Sequence, residues 1–166
     1  MSARQQWWAQ WEKLQIQWDE IARNGKQHLS VVADSIQKSS YLETDASKTI
    51  ISSEMLRSVA ITKLWKQAQH ARKKLRAELE KLGLVMVNMR SLWNSVRTND
   101  RDVYLEGAMC KTIRMFENEL MAKSLIVEDD FGARGHGTLL LYIASWQMQP
   151  CIDSAEITSM RELCKL

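Results

Sequence analysis

The sequence predicts an all-α protein, a long antiparallel coiled-coil-like helical bundle with short C-terminal helices. The first observation behind this fold class is the scarcity of turn residues. The 166 residues include one proline and six glycines, whereas average usage of about 5% and 7% would give roughly eight and twelve. Many-stranded β folds need more turns than this. The second observation is a seven-residue repeat of apolar positions in the middle of the chain. The length suits a single helical domain, 1–166.

Composition restricts the classes of partner and compartment. Lys+Arg 23 against Asp+Glu 20 leaves a net charge of +3, so charge alone predicts neither a direct nucleic-acid partner nor a membrane-surface partner. The cysteines Cys110, Cys151 and Cys164 are odd in number and lack C-x-x-C spacing, which favours a reducing compartment over a disulfide scaffold. No apolar run approaches the roughly 18 residues that span a bilayer, and no signal peptide is apparent. We therefore expect a soluble intracellular protein.

The first long helix is predicted at about 4–39. Its apolar residues recur at spacings of three, four and seven, with a slip near Gly25, and so form one stripe. Gly25 costs such a helix about 1 kcal/mol relative to alanine, which predicts a kink or close packing there. The Ser- and Thr-rich stretch 40–53 is predicted to be a loop. The stripe consists of Trp7, Trp11, Leu14, Trp18, Ile21, Leu29, Val32 and Ile36.

The second long helix, about 54–97, carries the clearest repeat. Eleven positions alternate spacings of four and three, and ten of them are apolar, which is the 3.5-residue period of a coiled-coil seam. The seam from Ile61 to Val96 would run roughly 54 Å at 1.5 Å per residue. Short C-terminal helices cannot cover that length, so we expect exposed parts of the seam to bind a helical partner. Arg72 is the charged exception and is predicted to set register or to pair with a partner's acid. The seam consists of Ile61, Trp65, Ala68, Arg72, Leu75, Leu79, Leu82, Met86, Met89, Trp93 and Val96, of which Trp65, Arg72, Leu82 and Trp93 are the candidate partner-binding residues.

Three further helices are predicted within about 102–166. Asn99 or Asp100 is a suitable N-cap for a third helix at about 102–130. The glycines between 132 and 137 indicate a turn, and a short apolar helix at 139–146 follows and ends before Pro150. Asp153 or Ser154 would cap the last helix.

No catalytic or metal-binding constellation emerges from the sequence. The glycine cluster lacks the preceding strand and following lysine of a phosphate-binding loop. The histidines, at positions 28, 70 and 136, lie far apart and at no helical spacing from another histidine or cysteine, so no metal and no cofactor is predicted. The acidic run 128–130 is expected to be a solvated helix end. We expect a protein that is not an enzyme, and a cysteine–histidine pair assembled by folding is left open.

A dense basic run lies on the second helix. The candidate patch Arg72, Lys73, Lys74 and Arg76 fits a minimal nuclear-import pattern or a contact with an acidic partner. The pattern is also typical of a solvated helix face, since these residues mostly lie outside the seam and Glu78 follows Lys74 at a spacing of four.

Two aromatic motifs complete the candidate sites. Trp11-x-x-Leu14-x-x-x-Trp18 and Tyr142-x-x-x-Trp146-x-x-Gln149-Pro150 each place large apolar side chains on one helical face. Such faces are either core or anchors for a partner, because tryptophan and tyrosine dominate interface energetics.

With Gly25 seven residues after Trp18, the first motif resembles the N-terminal helix of the cyclin-dependent kinase 2-interacting protein family. The segment from Glu119-Leu120-Met121-Ala122-Lys123 to Gln149-Pro150 resembles the C-terminal half of that family. Together the two matches cover about half of the chain, in the same order, and neither motif is a catalytic signature.

The resemblance implies a non-enzymatic nuclear adaptor, with a cytoplasmic pool also compatible. The implied partners are a second small helical protein, with which it forms a heterodimer, and a chromatin-associated AAA ATPase assembly acting in replisome proteostasis and pre-60S ribosome maturation. Cyclin-dependent kinase and DNA damage checkpoint kinase complexes are implied as well. Periodicity alone leaves an alternative open, a structural coiled-coil subunit of a cytoskeletal, kinetochore or trafficking complex.

Overall fold

The computed structural model describes all 166 residues and is built from helices with no β-strand, which confirms the all-α fold class. The long helices are α1 (Ala3–Leu42), α3 (Glu54–Asn99) and α4 (Val103–Glu128). The short ones are α2 (Asp45–Ile50), α5 (His136–Met148) and α6 (Ser154–Lys165), with a single 3-10 turn at Phe131–Ala133 between α4 and α5. None of these helices is both long and apolar enough to cross a bilayer.

Helices α1 and α3 form an antiparallel hairpin that is the backbone of the fold. At one end, the Arg4 guanidinium bonds the carboxylates of Asp100 and Asp102 and so ties the start of α1 to the turn after α3. Ser2 starts α1 with a capping box, in which its hydroxyl accepts from the Gln5 N–H and the Gln5 side chain accepts from the Ser2 N–H. These reciprocal bonds satisfy two N–H groups that a helix start leaves without partners.

The stretch 40–53 differs from the predicted loop. Helix α1 continues to Leu42, and α2 follows after a two-residue break. Thr44 caps α2, and the buried Ser47 hydroxyl donates to the carbonyl oxygens of Leu42 (2.8 Å) and Thr44 (2.9 Å). The loop prediction was wrong because Ser and Thr disfavour helix interiors but favour helix starts and local backbone bonds.

The C-terminal helices fold back along this hairpin. Helix α4 packs on α3, and Arg90 bonds Glu117 across them at 2.7 Å. Its N-cap is Asp102, which accepts from two backbone N–H groups, so the predicted cap at Asn99 or Asp100 was wrong by two to three residues. Helix α5 packs on α1, and α6 packs on α4 and α1. Asp153 caps α6 as predicted.

The core lies where α1, α3 and α4 meet and takes up most of the α3 seam. Five of the eleven seam residues are fully buried, five are partly buried, and only Trp65 is classed as exposed. The expectation that the seam needs an external partner to cover it was therefore wrong for most of its length. The reason is that α1, at 40 residues, is long enough to pair with nearly all of α3. The five buried seam residues are Ala68, Leu75, Leu82, Met86 and Met89.

Candidate functional site

The first aromatic motif lies in the core. Trp11 and Trp18 are completely buried, and each meets the Phe116 ring edge-on, with ring centroids 5.6 and 5.1 Å apart. Leu14 packs beside them and is half-buried. Edge-to-face pairs of this kind stabilise the fold beyond the area they bury. Trp11 and Trp18 therefore join α1 to α4 within the chain.

The second motif packs against the helix that carries the first. The Trp146 indole N–H donates to the Ala22 carbonyl oxygen (2.8 Å), and the Trp18 indole N–H donates to Gln149 Oε1 (2.7 Å). A Cβ atom on Gly25 would lie 2.5 Å from Trp146 Cζ2, so only glycine leaves room for this indole. The predicted close packing at Gly25 is confirmed. Helix α5 ends at Met148 and its C-cap is Gln149, which has a φ of 49°; Pro150 follows and is exposed to solvent.

A buried ion pair lies under this junction. The Lys123 ammonium is fully buried and donates to Glu119 Oε1 (3.0 Å) and to the Trp146 carbonyl oxygen (2.8 Å). It also lies 4.6 Å from the centroid of the Trp146 ring. Glu119 Oε2 accepts from the Cys151 backbone N–H at 3.1 Å. The pair thus connects α4 to the end of α5 and to the turn before α6.

Burial shifts the pKa of two groups at this junction. Desolvation lowers the pKa of Lys123, and the adjacent Glu119 carboxylate opposes that shift. Burial also raises the pKa of the Cys151 thiol, with the Glu119 charge adding to the effect. A raised pKa leaves less thiolate at neutral pH, so this shift does not activate Cys151 as a nucleophile.

Tyr142 belongs to a separate network at the end of α4. Its hydroxyl donates to the Asp129 carboxylate, which also accepts two bonds of 2.8 Å from Arg134. The Arg134 hydrogen bonds, followed by that of Tyr142, hold the pKa of Asp129 well below its usual range. The interpretation of 128–130 as a purely solvated end was therefore wrong at Asp129.

Arg72 acts within the chain. Its guanidinium donates to the carbonyl oxygens of Val127 (3.0 Å) and Asp129 (2.8 Å) and lies 5.2 Å from the Phe131 ring centroid. The last carbonyl groups of a helix have no intrahelical partner, and Arg72 satisfies this need at the end of α4. Arg72 therefore contacts the end of α4 in its own chain, and its predicted role in setting register stays a prediction.

The remaining seam candidates divide between core and surface. Leu82 is fully buried, and Trp93 is partly buried beneath Arg97, whose guanidinium lies 5.6 Å from the indole. Trp65 is 38% exposed and rests against Gly132 of the 3-10 turn. Of the four, Trp65 alone offers a large apolar surface to a partner.

The basic patch is helical throughout, and its residues other than Arg72 are exposed. Lys73, Lys74 and Arg76 project from α3 around Leu75, which is fully buried. Recognition of these residues as an extended peptide would require α3 to unfold locally. Arg76 has a distant partner in Glu128 (3.8 Å), and Glu78 pairs with Lys81 (3.1 Å) instead of the expected Lys74.

The most conspicuous surface was missed by the sequence analysis. Gly137, Leu141, Ala144 and Met148, which we call the α5 face, are all exposed and are spaced by four, three and four residues. Leu141 is 64% exposed and Met148 is 77% exposed. A helix that is apolar on all sides is normally buried on all sides, and α5 is covered on one side only. The sequence could have indicated this apolar face, because no charged residue lies between Gly137 and Met148.

Neither the metal-ligand geometry nor the comparisons with known proteins assign a chemistry to the chain. No three His, Cys, Asp or Glu side chains cluster so as to hold a metal ion. No protein-family model matches the sequence, and no curated protein matches it either.

Proposed function

We propose that this protein is a non-enzymatic adaptor that binds a helical partner through the α5 face. Following the resemblance in its Trp and Glu–Lys motifs, the partner is a second small helical protein of a chromatin-associated nuclear AAA ATPase assembly. That assembly acts in replisome proteostasis and pre-60S ribosome maturation, with links to replication and checkpoint kinases.

The observation that carries the proposal is the spacing of the α5 face. Positions 137, 141, 144 and 148 have the period by which coiled-coil helices contact each other. Small residues alternate with large ones along it, so a partner helix can approach closely at Gly137 and Ala144 and pack against Leu141 and Met148. The occupant that fits such a face is an amphipathic helix.

The α5 face is only part of the expected interface. A stable protein–protein interface buries about 800 Å² on each partner, which is more than four side chains provide. We therefore expect the partner to extend beyond α5, for example onto Met121 and Leu125, which are also exposed on α4.

Affinity purification with mass spectrometry tests this proposal on the full chain. The test variant is Leu141→Glu with Met148→Glu, which places two charges on the α5 face. The matched control is Leu84→Glu with Val87→Glu, because these residues are comparably exposed on α3. Circular dichroism melts of all three proteins establish that the substitutions leave the fold intact.

We expect AAA ATPase subunits and a small helical protein with the wild type and the control, and at least tenfold less of both with the α5 variant. Equal recovery with the α5 variant would refute the α5 face as the interface. Recovery of tubulin- or vesicle-associated proteins in place of ATPase subunits would favour the structural coiled-coil alternative.

A further inference from the structure

After its first residue, Glu54, helix α3 carries positive charge and no acidic residue until Glu78. Between Glu54 and Glu78 the sequence holds no Asp or Glu and seven basic residues: Arg57, Lys63, Lys66, Arg72, Lys73, Lys74 and Arg76. Three of the seven are used within the fold, since Arg57 pairs with Glu54, Arg72 caps α4 and Arg76 pairs with Glu128. The charge of this segment therefore remains largely uncompensated.

The four lysines among these basic residues have no ionic partner in the chain. Lys63, Lys66, Lys73 and Lys74 are exposed and form no ion pair. Two acids at this end of the hairpin pair with other lysines, since Asp34 pairs with Lys38 and Asp45 pairs with Lys48. The four lysines are thus free to bind an external acid.

Two of these lysines continue a line of exposed apolar residues, and the other two lie beside it. Met55, Val59, Lys66 and Lys73 are spaced by four, seven and seven residues, so they lie along one outward line of α3. Met55 is 72% exposed and Val59 is 62% exposed. From Met55 to Lys73 the line is about 27 Å long at 1.5 Å per residue. We call Met55, Val59, Lys63, Lys66, Lys73 and Lys74 the α3 strip.

The packing of the bundle leaves this strip open. Helix α4 runs along the second half of α3 and ends where Arg72 caps it, while Gly132 of the following turn contacts Trp65. No helix lies on the outward side of α3 before that point.

We propose that the α3 strip is a second docking surface, which binds an acidic amphipathic helix of a partner protein. Carboxylates along the partner helix would pair with the lysines, and apolar residues at one of its ends would cover Met55 and Val59. The apolar end argues against a nucleic-acid backbone, which offers phosphates along its whole length. With the α5 face as the first surface, the adaptor would join two partners.

Fluorescence anisotropy with designed peptides tests this inference on the full chain. The probe is a labelled 21-residue helical peptide with Glu every three to four residues on one face and two Leu at one end. Its control peptide carries Gln in place of Glu. The test variant is Lys63→Glu, Lys66→Glu and Lys73→Glu. The control variant, Lys13→Glu, Arg114→Glu and Arg161→Glu, makes the same charge change at exposed positions that also lack ion pairs.

The acidic peptide should bind the wild type and the control variant with affinities within about twofold of each other, and the test variant at least tenfold more weakly. Binding should weaken as NaCl is raised, because surface charge pairs are screened by salt. Met55→Ser with Val59→Ser should weaken binding severalfold while leaving its salt dependence unchanged.

Three results would overturn the inference. They are equal binding of the Glu and Gln peptides, equal binding by the two charge variants, and tighter binding of a 20-base-pair DNA duplex or of phosphatidylserine vesicles than of the peptide. The Leu141→Glu, Met148→Glu variant should keep full peptide binding, so failure of this inference is distinct from failure of the adaptor proposal.

Discussion

Replacing Gly25 with alanine should destabilise the protein, although the same change normally stabilises a helix. Alanine in place of an interior helical glycine gains about 1 kcal/mol. At this position the new Cβ would lie 2.5 Å from Trp146 Cζ2. The indole is not free to retreat, since its N–H bonds the Ala22 carbonyl oxygen and Lys123 lies against its ring. Overpacking of a close-packed core costs about 1–3 kcal/mol, so we expect a net loss of about 1 kcal/mol.

The chain supplies its own controls for this effect. Gly83 and Gly107 also lie within helices, and a Cβ at either would meet nothing within 4 Å. Gly83→Ala and Gly107→Ala should each raise the free energy of unfolding by about 1 kcal/mol. Urea unfolding followed by circular dichroism at 222 nm measures all three variants. The Gly25 variant should fall about 2 kcal/mol below the controls.

A double variant separates the steric cause from any other. Trp146→Phe removes the part of the ring that Gly25 faces, so Gly25→Ala should cost less in that background than in the wild type. If Gly25→Ala proved as stabilising as Gly83→Ala, the tight contact between α1 and α5 would be wrong.

Two further predictions concern charged groups. Lys123→Met should cost about 3–5 kcal/mol of unfolding free energy in urea, because it leaves the Glu119 carboxylate buried without its partner, and adding Glu119→Gln should restore most of the loss. The pKa of Asp129 is lowered in the fold by Arg134 and Tyr142, so its contribution to stability is present above the unfolded pKa of about 3.9 and is lost as the pH falls below it. The urea midpoint of Asp129→Asn should accordingly fall less between pH 7 and pH 3 than that of the wild type, and an identical fall would contradict the network.

The number and order of the main helices could be predicted from apolar periodicity, because each helix buries a stripe along its length. The predicted bounds of α3 are close to those observed. Local chemistry was harder to predict at helix ends: Asp102 is the N-cap of α4 although two nearby residues have suitable side chains. Asn99 is still part of α3 and Asp100 is its C-cap, so Asp102 is the residue left to start α4.

The buried pair of Glu119 and Lys123 shows why the sequence analysis did not predict this junction. A Glu–Lys pair four residues apart is, on sequence grounds, an ordinary surface pair. It is buried here because the end of α5 brings Trp146 over it. Such long-range contacts leave no trace in local spacing.

The sequence by itself determined that this protein consists of long amphipathic helices with an excess of apolar surface. The reason is that apolar residues recur along the sequence at helical spacing, which does not depend on how the helices pack. Only the tertiary structure decided which helix covers which stripe. The same seam on α3 could be filled by a partner or by α1, and its periodicity is identical in both cases. Because α1 fills it, the apolar surface left for partners lies on other parts of the molecule, including the outer side of α5 and the start of α3.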